Sequence, residues 1–448
     1  LKDIPLVLIN RFSSLIFDQF SLSNNKMNQL VGRLNVYLKE KCGVNVKIID
    51  IDKVISRLSI KSSIDLRYYY SSKTLYSIDF YKKYFEYIKP IFLSTTGKIK
   101  KALIFDCDNT LWKGILGEDG FDNIRIYREV QYLTLQLAKK GVIICLCSKN
   151  NPQDVDNVLE NHPDMILRDE HIVVKKVNWS DKVSNLKSIS QDLNIGLDSL
   201  VFIDDSSFEI GLIKKELPTI KTFQVPVKEY EYGLMMREVS NLFYSPSQTK
   251  EDIQKVKIYK KQLQRSEDRG RVGNIEDYLR SLGLALIVHV DDLSQVSRIA
   301  QMTQKTNQFN LTTIRYTESD IKKLVEDELK TVISISVSDK YGDSGVTGLA
   351  ILDSDKSAID TLLLSCRVLG RNIEYKFMDI IIDFAKNKDI RLLNSRYIKT
   401  IKNQQVSDFY ERCGFVKIDE VDSSSQYNLH VENYKNKDMK YIRIENGK

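Results

Sequence analysis

The chain of 448 residues is long enough for two or three domains with sizeable cores. Hydrophobic residues make up 42% and charged residues 28% of the sequence, which is ordinary for a soluble globular protein. The formal net charge of +7 arises from 67 basic and 60 acidic residues mixed along the whole length, so the composition does not indicate a nucleic-acid partner.

The six cysteines do not form a metal-binding pattern, because none has the paired Cys-x-x-Cys spacing of a zinc site. Free thiols in a reducing cytoplasm are the simplest interpretation. No apolar stretch approaches the ~20 residues that a membrane-spanning helix needs, and no signal peptide is visible. We therefore expect a cytoplasmic protein without a membrane span.

Residues 1–98 mix helix and strand signals and contain no catalytic constellation. A helix is predicted over 24–40 and a strand over 44–50, and the tyrosine-rich stretch 68–87 suits a packing surface. We interpret this region as a truncated or accessory domain.

Strand and helix signals alternate from 99 to 245. The apolar runs predict strands at 101–106, 142–148, 172–177 and 199–204. Helices are predicted at 127–140, 152–160 and 180–193, the second with proline in its first turn. Such alternation predicts an α/β domain with a parallel sheet covered by helices.

A highly charged connector, residues 246–280, separates this domain from a second α/β domain. The connector is predicted to be a helix with a flexible tail at 270–273. In the second domain, residues 281–448, strands are predicted near 284–290, 332–337 and 348–352, and helices near 373–386 and 404–412.

The most informative stretch is 103–119, where an apolar strand ends in Asp106 and Asp108, with Thr110 just beyond. Side chains alternate along a strand, so the two acids leave it on the same side. Strand ends carry the ligand sites of parallel α/β sheets. Two acids at such a place suit a divalent cation and a phosphoryl group, although a solvated pair of turn carboxylates is the alternative.

Three further element edges carry polar residues. Ser148 and Asn150 end the second strand, Lys182 begins the helix after the third, and Asp204 and Asp205 end the fourth. Each could be an ordinary polar loop, but all of them at successive edges are harder to dismiss. The pattern Asp-x-Asp-x-Thr, then Ser, then Lys, then Asp-Asp resembles the haloacid dehalogenase superfamily.

Longer strings narrow this resemblance to the FkbH-like branch, subfamily IIIC. The stretch 106–120 resembles that branch, as do Ser148-Lys-Asn, Asn178-Trp and Phe202-Ile-Asp-Asp. The strings at 305–313, 339–345 and 365–371 also fit. The resemblance covers about 100–420, which is most of the chain.

The resemblance implies chemical roles for these residues. Asp106 would attack phosphorus to form an aspartyl phosphate. Asp108 would protonate the leaving oxygen and then activate a water or another acceptor. Lys182 would neutralise the charge on the phosphoryl oxygens. The residues expected to bind the phosphoryl group are Thr110, Ser148, Asn150 and Lys182.

Mg²⁺ is the cofactor that the resemblance implies, because carboxylate and carbonyl oxygens form a hard site that suits it. The expected ligands are Asp106, Asp108 through its carbonyl, Asp204 and Asp205. Glu209 is followed by Ile210, whereas the superfamily often has Glu-Arg here, so a charged contact would be absent or moved. The intervals between motifs are too short for a large cap domain, so we expect an open site.

The second domain resembles GCN5-related acyltransferases (GNAT). Residues 403–415 resemble their Asn…Phe-Tyr-x-x-x-Gly-Phe segment, and 366–372 resembles the loop that holds the pyrophosphate of coenzyme A at a helix N-terminus. Asn372 departs from that loop, which favours a pantetheine groove over free acetyl-CoA. The candidate pantetheine or acyl-binding residues are Asn307, Gln308, Asn310, Arg367, Gly370, Arg371 and Asn403. A hydrogen-bonded turn is the alternative interpretation of the 306–310 segment.

The FkbH-like resemblance implies a glyceryl transferase. Such an enzyme takes a small phosphorylated three-carbon substrate, 1,3-bisphosphoglycerate, removes phosphate and loads the glyceryl group onto the thiol of an acyl-carrier protein. Cys107 and Cys366 are the candidates for a thiol that holds the group first. We favour Cys366, because neighbouring arginines stabilise a thiolate whereas flanking aspartates disfavour one.

Two other functions stay open. The chain could be a haloacid-dehalogenase-type phosphatase fused to an acyltransferase in surface-polysaccharide or sugar biosynthesis. It could also be a non-catalytic scaffold that binds a carrier protein, which the intact set of Asp106, Asp108, Lys182 and Asp204 disfavours.

Overall fold

The computed structural model describes residues 6–16, 25–43, 46–245, 254–271, 274–437 and 439–446. Elements are numbered below in chain order. Within these ranges, no helix is both long and apolar enough to cross a membrane.

The N-terminal region combines a two-stranded parallel sheet with helices. Its elements are β1 (Val7–Asn10), α1 (Lys26–Lys41), β2 (Val46–Ile49), α2 (Ile51–Leu58), α3 (Ile60–Ser63), α4 (Leu66–Ser72) and α5 (Ile78–Thr95). The predicted helix over 24–40 and strand over 44–50 are confirmed within the described residues, which exclude residues 24, 44 and 45. Two small clusters around Ile49 and Phe80 form the core.

The next region is an α/β unit around a five-stranded parallel sheet. Its elements are β3 (Ala102–Phe105), β4 (Trp112–Lys113), α6 (Leu116–Asp119), β5 (Arg125–Ile126), α7 (Arg128–Lys139), β6 (Ile143–Ser148), α8 (Pro152–Asn161), β7 (Ile172–Val177), α9 (Lys182–Leu193), β8 (Leu200–Asp204), α10 (Ser207–Glu216), β9 (Lys221–Gln224) and α11 (Glu229–Asn241). The four strands predicted from the apolar runs are confirmed, as are the three helices between them.

The order of the parallel strands is β7-β6-β3-β8-β9. The central strands are apolar without interruption because helices cover both faces of the sheet. All four residues of β3 are fully buried, and two separate clusters pack on the two faces. The α/β fold predicted for this part of the chain is therefore confirmed.

The connector and the second sheet complete the described chain. Their elements are α12 (Lys255–Arg271), α13 (Ile275–Ser281), β10 (Ala285–Val290), α14 (Val296–Lys305), β11 (Phe309–Asn310), α15 (Glu318–Val325), β12 (Lys330–Asp339), β13 (Gly342–Asp353), β14 (Ala358–Leu364), α16 (Ile373–Asn387), β15 (Leu392–Ile398), α17 (Phe409–Arg412), β16 (Val416–Val421), β17 (Ser424–His430) and β18 (Arg443–Asn446). The sheet order is β16-β17-β15-β14-β13-β12-β10-β18, with β11 beside β14.

The connector helix α12 contacts both sheet regions. Tyr259 packs in the core of the first, and Arg265 makes a two-pronged ion pair with Asp339 at the end of β12, at 2.7 and 2.8 Å. The helix predicted here is confirmed, but it continues through Gly270 and Arg271, so the prediction that a flexible tail begins at 270 was wrong. The rest of its predicted tail, residues 272 and 273, lies outside the described residues.

The continuous helix predicted over 404–412 was wrong. The structure has a single 3₁₀ turn at Gln404–Val406 and then the short helix α17. Asn403 explains the break, because its side chain donates to the carbonyl of Ile398 and accepts from the backbone N–H of Thr400. These bonds hold the loop against β15 instead of extending a helix.

Candidate functional site

The first candidate site lies at the carboxyl end of the parallel strands. Asp106 follows β3, and its backbone N–H donates to the carbonyl of Ile203 in β8 at 3.0 Å. Ser148 is the last residue of β6, and Asp204 is the last residue of β8. Because β3 lies between β6 and β8, the sheet brings these three predicted residues to one edge.

Lys182 joins two carboxylates of the site. It is the first residue of α9, whose beginning is fixed by the side chain of Asp181 accepting from the N–H of Ser184 at 2.8 Å. Its Nζ lies 2.7 Å from Oδ2 of Asp204 and 3.2 Å from Oδ2 of Asp106. All three side chains are at least nine-tenths buried, so water screens these ion pairs little.

Burial and charge shape the pKa values here. Burial raises the pKa of both Asp106 and Asp204, against the opposing effect of Lys182. Burial would lower the pKa of Lys182, but the two carboxylates outweigh it and hold that pKa above its usual value. Lys182 therefore stays cationic at neutral pH.

The acidic cluster fits a divalent cation. One carboxylate oxygen each from Asp106, Asp204 and Asp205 lies within 4.8 Å of the other two. Three hard oxygen donors around one point are the chemistry that Mg²⁺ prefers. The same three residues carry raised pKa values, chiefly through burial, which a bound cation would offset. The predicted ligands Asp106, Asp204 and Asp205 thus lie together.

The carboxyl group of Asp108 faces other partners. Its Oδ1 accepts from Nε1 of Trp112 at 2.9 Å and from the N–H of Leu116 at 3.1 Å, and its Oδ2 accepts from Nδ2 of Asn150 at 2.9 Å. Three donors fix the orientation of this carboxyl group beside the cluster. Asn150, predicted to bind phosphate, thus holds Asp108.

Ser148 and Thr110 are both buried near Asp106. The hydroxyl of Ser148 lies beside the Asp106 carboxylate and acts to lower its pKa. Thr110 is fully buried, and its Oγ1 has no hydrogen-bond partner among the described residues, while its carbonyl accepts from the hydroxyl of Tyr232 at 2.9 Å. Of the two, Ser148 has the direct contact with the nucleophile candidate.

The sequence reasoning missed an ion pair at the edge of this site. Nζ of Lys149 lies 2.7 Å from Oε1 of Glu209, which is 7% exposed. No arginine follows Glu209 in the sequence, and the cation that pairs with its carboxylate is Lys149, the residue after Ser148. The string Ser148-Lys-Asn150 carried this signal, but only the fold shows that α10 approaches it.

Only short elements separate the strands around the site. Between β3 and α7 the chain forms the small β4–β5 hairpin and the four-residue helix α6. Trp179 and Phe208, in the segments that follow β7 and β8, are 75% and 72% exposed. Because Asp106 and Asp204 themselves are buried, the open site expected from the short intervals stays a prediction.

Cys107 is beside the site but inaccessible. Its side chain is fully buried. Burial, and then the charge of Asp106, raises the pKa of the thiol well above its usual value. Cys107 is therefore a neutral core thiol in this conformation.

Cys366 lies near the amino ends of the parallel strands, at the opposite end of the sheet from Asp106. Its carbonyl accepts from Nδ2 of Asn194, which caps the C-terminal end of α9. Lys182 begins that 12-residue helix, so Cys366 is about 18 Å from Lys182 along it. The structure therefore does not bring Cys366 to the Asp106 cluster.

A cavity of about 530 Å³ contains part of the second predicted set. It lies between the parallel-sheet unit and the second sheet. Cys366, Arg367, Asn307 and Gln308 line it, whereas Asn310, Gly370, Arg371 and Asn403 do not. Cys366 and three of the seven predicted pantetheine residues thus share one chamber.

The remaining predicted residues hold the second sheet together. Asn403 is fully buried and donates to the carbonyl of Asn310 at 2.9 Å. Arg371 pairs with Asp339 at 3.1 Å, and Gly370 has a φ of 77°, which favours glycine. In this structure these groups contact the protein itself.

The gap between β14 and β15 is filled by the chain's own backbone. These two strands pair in parallel at only two positions, Ala358 with Asn394 and Ile359 with Ser395. Farther along, β11 pairs with β14, and Leu311 donates to β14 and accepts from Ile398 of β15 at 2.7 Å. The hydrogen-bonding groups that an extended ligand would use between these strands are thus taken.

Sheet order and site agree with the resemblances found in the sequence. A parallel α/β unit with an acidic cluster and a lysine at its strand ends, followed by a mixed sheet after the connector, is the arrangement that resemblance to haloacid dehalogenases and GCN5-related acyltransferases implies.

Comparison with known proteins gives similar structures but no family. Neither a family model nor a curated protein matches the sequence. The N-terminal part of BF1531 from Bacteroides fragilis, containing a phosphatase domain complexed with Mg, is 28% identical over 55% of this chain and 69% of that chain, with a TM-score of 0.49. A mutant form of the spermidine/spermine N-acetyltransferase SpeG from Vibrio cholerae is 12% identical over 33% of this chain and 95% of that chain, with a TM-score of 0.26. The N-acetyltransferase PseH from Campylobacter jejuni is 19% identical over 25% and 74%, with a TM-score of 0.20.

Proposed function

We propose that this chain is a Mg²⁺-dependent phosphoryl-transfer enzyme that dephosphorylates a three-carbon donor and loads its glyceryl group onto a carrier-protein thiol. The observation that carries the proposal is the placement of Lys182 between Asp106 and Asp204 at the strand ends. A carboxylate nucleophile and a phosphate substrate are both negatively charged and repel each other. A buried lysine, and a cation held by the clustered acids, would offset this repulsion.

In the phosphoryl step, Asp106 acts as the nucleophile and Asp108 as the acid and base. A carboxylate oxygen of Asp106 attacks phosphorus, an aspartyl–phosphorus bond forms, and the bond from phosphorus to the substrate oxygen breaks. Asp108 gives its proton to that leaving oxygen. Water then attacks phosphorus, its proton passes to Asp108, and inorganic phosphate leaves as the Asp106 carboxylate is restored.

Two other groups position the phosphoryl oxygens in this scheme. The ammonium of Lys182 is cationic and buried, so its attraction to the developing charge is little screened. The hydroxyl of Ser148, which lies beside Asp106, would donate to the transferred group. When bound by Asp106, Asp204 and Asp205, Mg²⁺ would neutralise the negative charge of the phosphoryl group.

The glyceryl step requires a thiol and access for a pantetheine arm. Cys366 lines a chamber, whereas Cys107 is buried with a raised pKa, so we assign the glyceryl-holding thiol to Cys366. Its sulfur attacks the acyl carbon, a thioester forms and the acyl phosphate leaves as inorganic phosphate; the carrier thiol then attacks the thioester and the Cys366 thiol is restored. The phosphate removed at Asp106 is therefore the remaining phosphate ester. Because Cys366 and Asp106 lie at opposite edges of one sheet, the phosphate must be removed from a mobile species. A donor free in solution or bound to the flexible arm of the carrier protein meets that need.

The experiment measures Mg²⁺-dependent phosphate release from 1,3-bisphosphoglycerate and glyceryl transfer to a carrier protein. Asp106→Asn should abolish release, whereas Asp122→Asn, an exposed aspartate of the same unit, should behave as wild type. Absence of Mg²⁺-dependent release by the wild type would contradict the proposal.

A second candidate function is the phosphatase fused to an acyltransferase of another pathway, such as surface-polysaccharide or sugar biosynthesis. The gap between β14 and β15 is filled by the chain itself and so offers no place there for acyl-CoA or for a carrier arm. Because this gap does not distinguish the two functions, the assay with a carrier protein has to separate them. Release of phosphate without transfer to any carrier protein would favour this alternative.

A further inference from the structure

The cavity between the two sheet regions has walls from three parts of the chain. The parallel-sheet unit contributes Lys101 and the loop at 195–199, the connector contributes Tyr259, and the second region contributes the end of α14 and the turn at 365–367. Its volume of about 530 Å³ suits a small-molecule site rather than a packing defect. Lys101 precedes β3, so the cavity is at the amino end of the sheet, about 16 Å along the strand from Asp106.

The charge of the walls is strongly unbalanced. Among the lining residues six are basic and one, Asp198, is acidic. The basic ones are Lys101, Lys255, Arg298, Lys305, Arg367 and Lys402. Asp198 is itself paired with Lys402. The chamber therefore offers a positive potential to whatever enters it.

Two polar groups of the wall have no partner. Arg367 is 7% exposed and donates from Nε to Oγ of Ser365 at 3.2 Å, but its Nη1 has no hydrogen-bond partner among the described residues. Oε1 of Gln308, another lining residue, is likewise buried and unpaired. Buried polar groups are nearly always satisfied, so a guanidinium left with open donors points to an absent acceptor.

A thiol with polar neighbours completes the chamber. The thiol of Cys366 lies beside the hydroxyl of Tyr259, and both residues line the cavity. Burial lowers the pKa of Lys101, and the nearby Cys366 acts in the opposite direction. Cys366 thus sits among the cationic and hydroxyl groups that an anionic ligand would contact.

We propose that this chamber binds a small organic phosphate, whose phosphate group accepts from Nη1 of Arg367 and whose organic end lies against the thiol of Cys366. A planar guanidinium matches phosphate oxygens, and the surrounding basic residues favour a dianion. The chamber and the Asp106 cluster are separate sites, so binding of an organic phosphate in the chamber does not depend on phosphoryl transfer at Asp106. The proposal rests on the proposed function only for which organic phosphate is bound.

The test follows alkylation of Cys366 by iodoacetamide, read by peptide mass, in the Asp106→Asn variant so that ligands are not hydrolysed. Glycerol 3-phosphate and 4′-phosphopantetheine represent the two sources of an organic phosphate, and glycerate is the control that lacks phosphate. Cys42, which is partly exposed and outside the chamber, reports nonspecific effects. The expected result is slower alkylation of Cys366 with either phosphate and an unchanged rate with glycerate and at Cys42.

Two variants probe the anion contact. Arg367→Gln removes the open donor and should weaken the protecting phosphate about tenfold or more, whereas Arg396→Gln, an exposed arginine on β15, should not. Gln308→Glu keeps the side-chain size but adds a negative charge, so it should weaken protection as well. A thermal melt of each variant shows that it is folded, and Gln308→Glu serves alone if Arg367→Gln does not fold.

Protection by glycerate equal to that by glycerol 3-phosphate, or protection unchanged in Gln308→Glu, would overturn the proposal. So would the absence of protection by both phosphates. These outcomes are independent of phosphate release by the wild-type enzyme, so failure of the chamber proposal is distinguishable from failure of the phosphoryl-transfer function.

Discussion

At the scale of single residues, Lys182 is central to the first candidate site. It is the one group that contacts both Asp106 and Asp204 among the described ion pairs, and it does so where water is excluded. Without it, two buried carboxylates with raised pKa values would face each other uncompensated.

Replacement of Lys182 by Met should cost catalysis more than stability. Methionine has a similar length and fills the buried space without charge. Loss of the cation should lower kcat for phosphate release by about 10²–10³-fold, as removal of one electrostatic stabiliser does. Steady-state kinetics with Mg²⁺ measures this effect, with the exposed Lys187→Met as the matched control. A kcat within a factor of two or so of wild type would contradict the assigned role.

The two candidate thiols should differ in reactivity. Cys107 is fully buried with a raised pKa, whereas Cys366 lines a cavity. Iodoacetamide should therefore modify Cys366 well before Cys107 in the native protein, and both should react after unfolding in urea. Peptide mass spectrometry over time measures the order. Faster modification of Cys107 would remove the basis for choosing Cys366.

At the scale of elements, the strands of the parallel sheet that are buried on both faces were predictable, and the two-residue strands were not. The runs that form β3, β6 and β8 are apolar throughout, so their type follows from burial on both faces. The two-residue strands β4, β5 and β11 are too short to carry any periodicity. The 404–412 segment carried a helical signal, but the tertiary hydrogen bonds of Asn403 prevailed.

The candidate site, like the strands, was predictable only in part. Asp106, Lys182 and Asp204 could be predicted because each stands at the edge of a recognisable element. The orientation of Asp108 toward Trp112 and Asn150 could not, because it depends on a turn and a hairpin. The separation of Cys366 from Asp106 depends on how the second region packs on the first, which no local pattern records.

The short strand β11 and Asn403 should be important for the stability of the second sheet. Asn403→Ala removes buried hydrogen bonds to Asn310, Ile398 and Thr400, which should lower the free energy of unfolding by about 2–4 kcal/mol. Urea denaturation measures the loss, and the exposed Asn387→Ala is the matched control. Equal stability of both variants would show that this bridge contributes nothing.

At the scale of the whole molecule, the connector joins the regions through a buried ion cluster. Asp339 of the second sheet pairs with Arg265 of the connector at 2.7 Å and with Arg371 at 3.1 Å, and each side chain is less than 10% exposed. Burial lowers the pKa of Arg371 to about 10, so the group stays cationic at neutral pH.

Removing the acid of this cluster should loosen the assembly. Asp339→Asn leaves two buried guanidinium groups without their counter-ion, which should cost about 3–5 kcal/mol of unfolding free energy. Asp122→Asn, on the surface, should cost nothing measurable. Chemical denaturation followed by circular dichroism tests this expectation. Wild-type stability of Asp339→Asn would show that the cluster does not hold the connector in place.

At the same scale, the two candidate sites lie at opposite ends of the strands of one sheet. The acidic cluster opens at the carboxyl ends of the strands, and the basic chamber with Cys366 lies at their amino ends. A reaction that needs both must move its substrate between them, which suits an acyl group carried on a flexible arm. In the proposed function, phosphoryl transfer begins at Asp106.

That claim is tested most directly by trapping the covalent intermediate. The enzyme is mixed with Mg²⁺ and 1,3-bisphosphoglycerate, quenched in acid within the first turnover, and digested for mass spectrometry. We expect a phosphoryl group on the peptide that contains Asp106, present in the wild type and absent in Asp106→Asn. Phosphoryl label on a different residue, or turnover by Asp106→Asn with no label, would contradict the account.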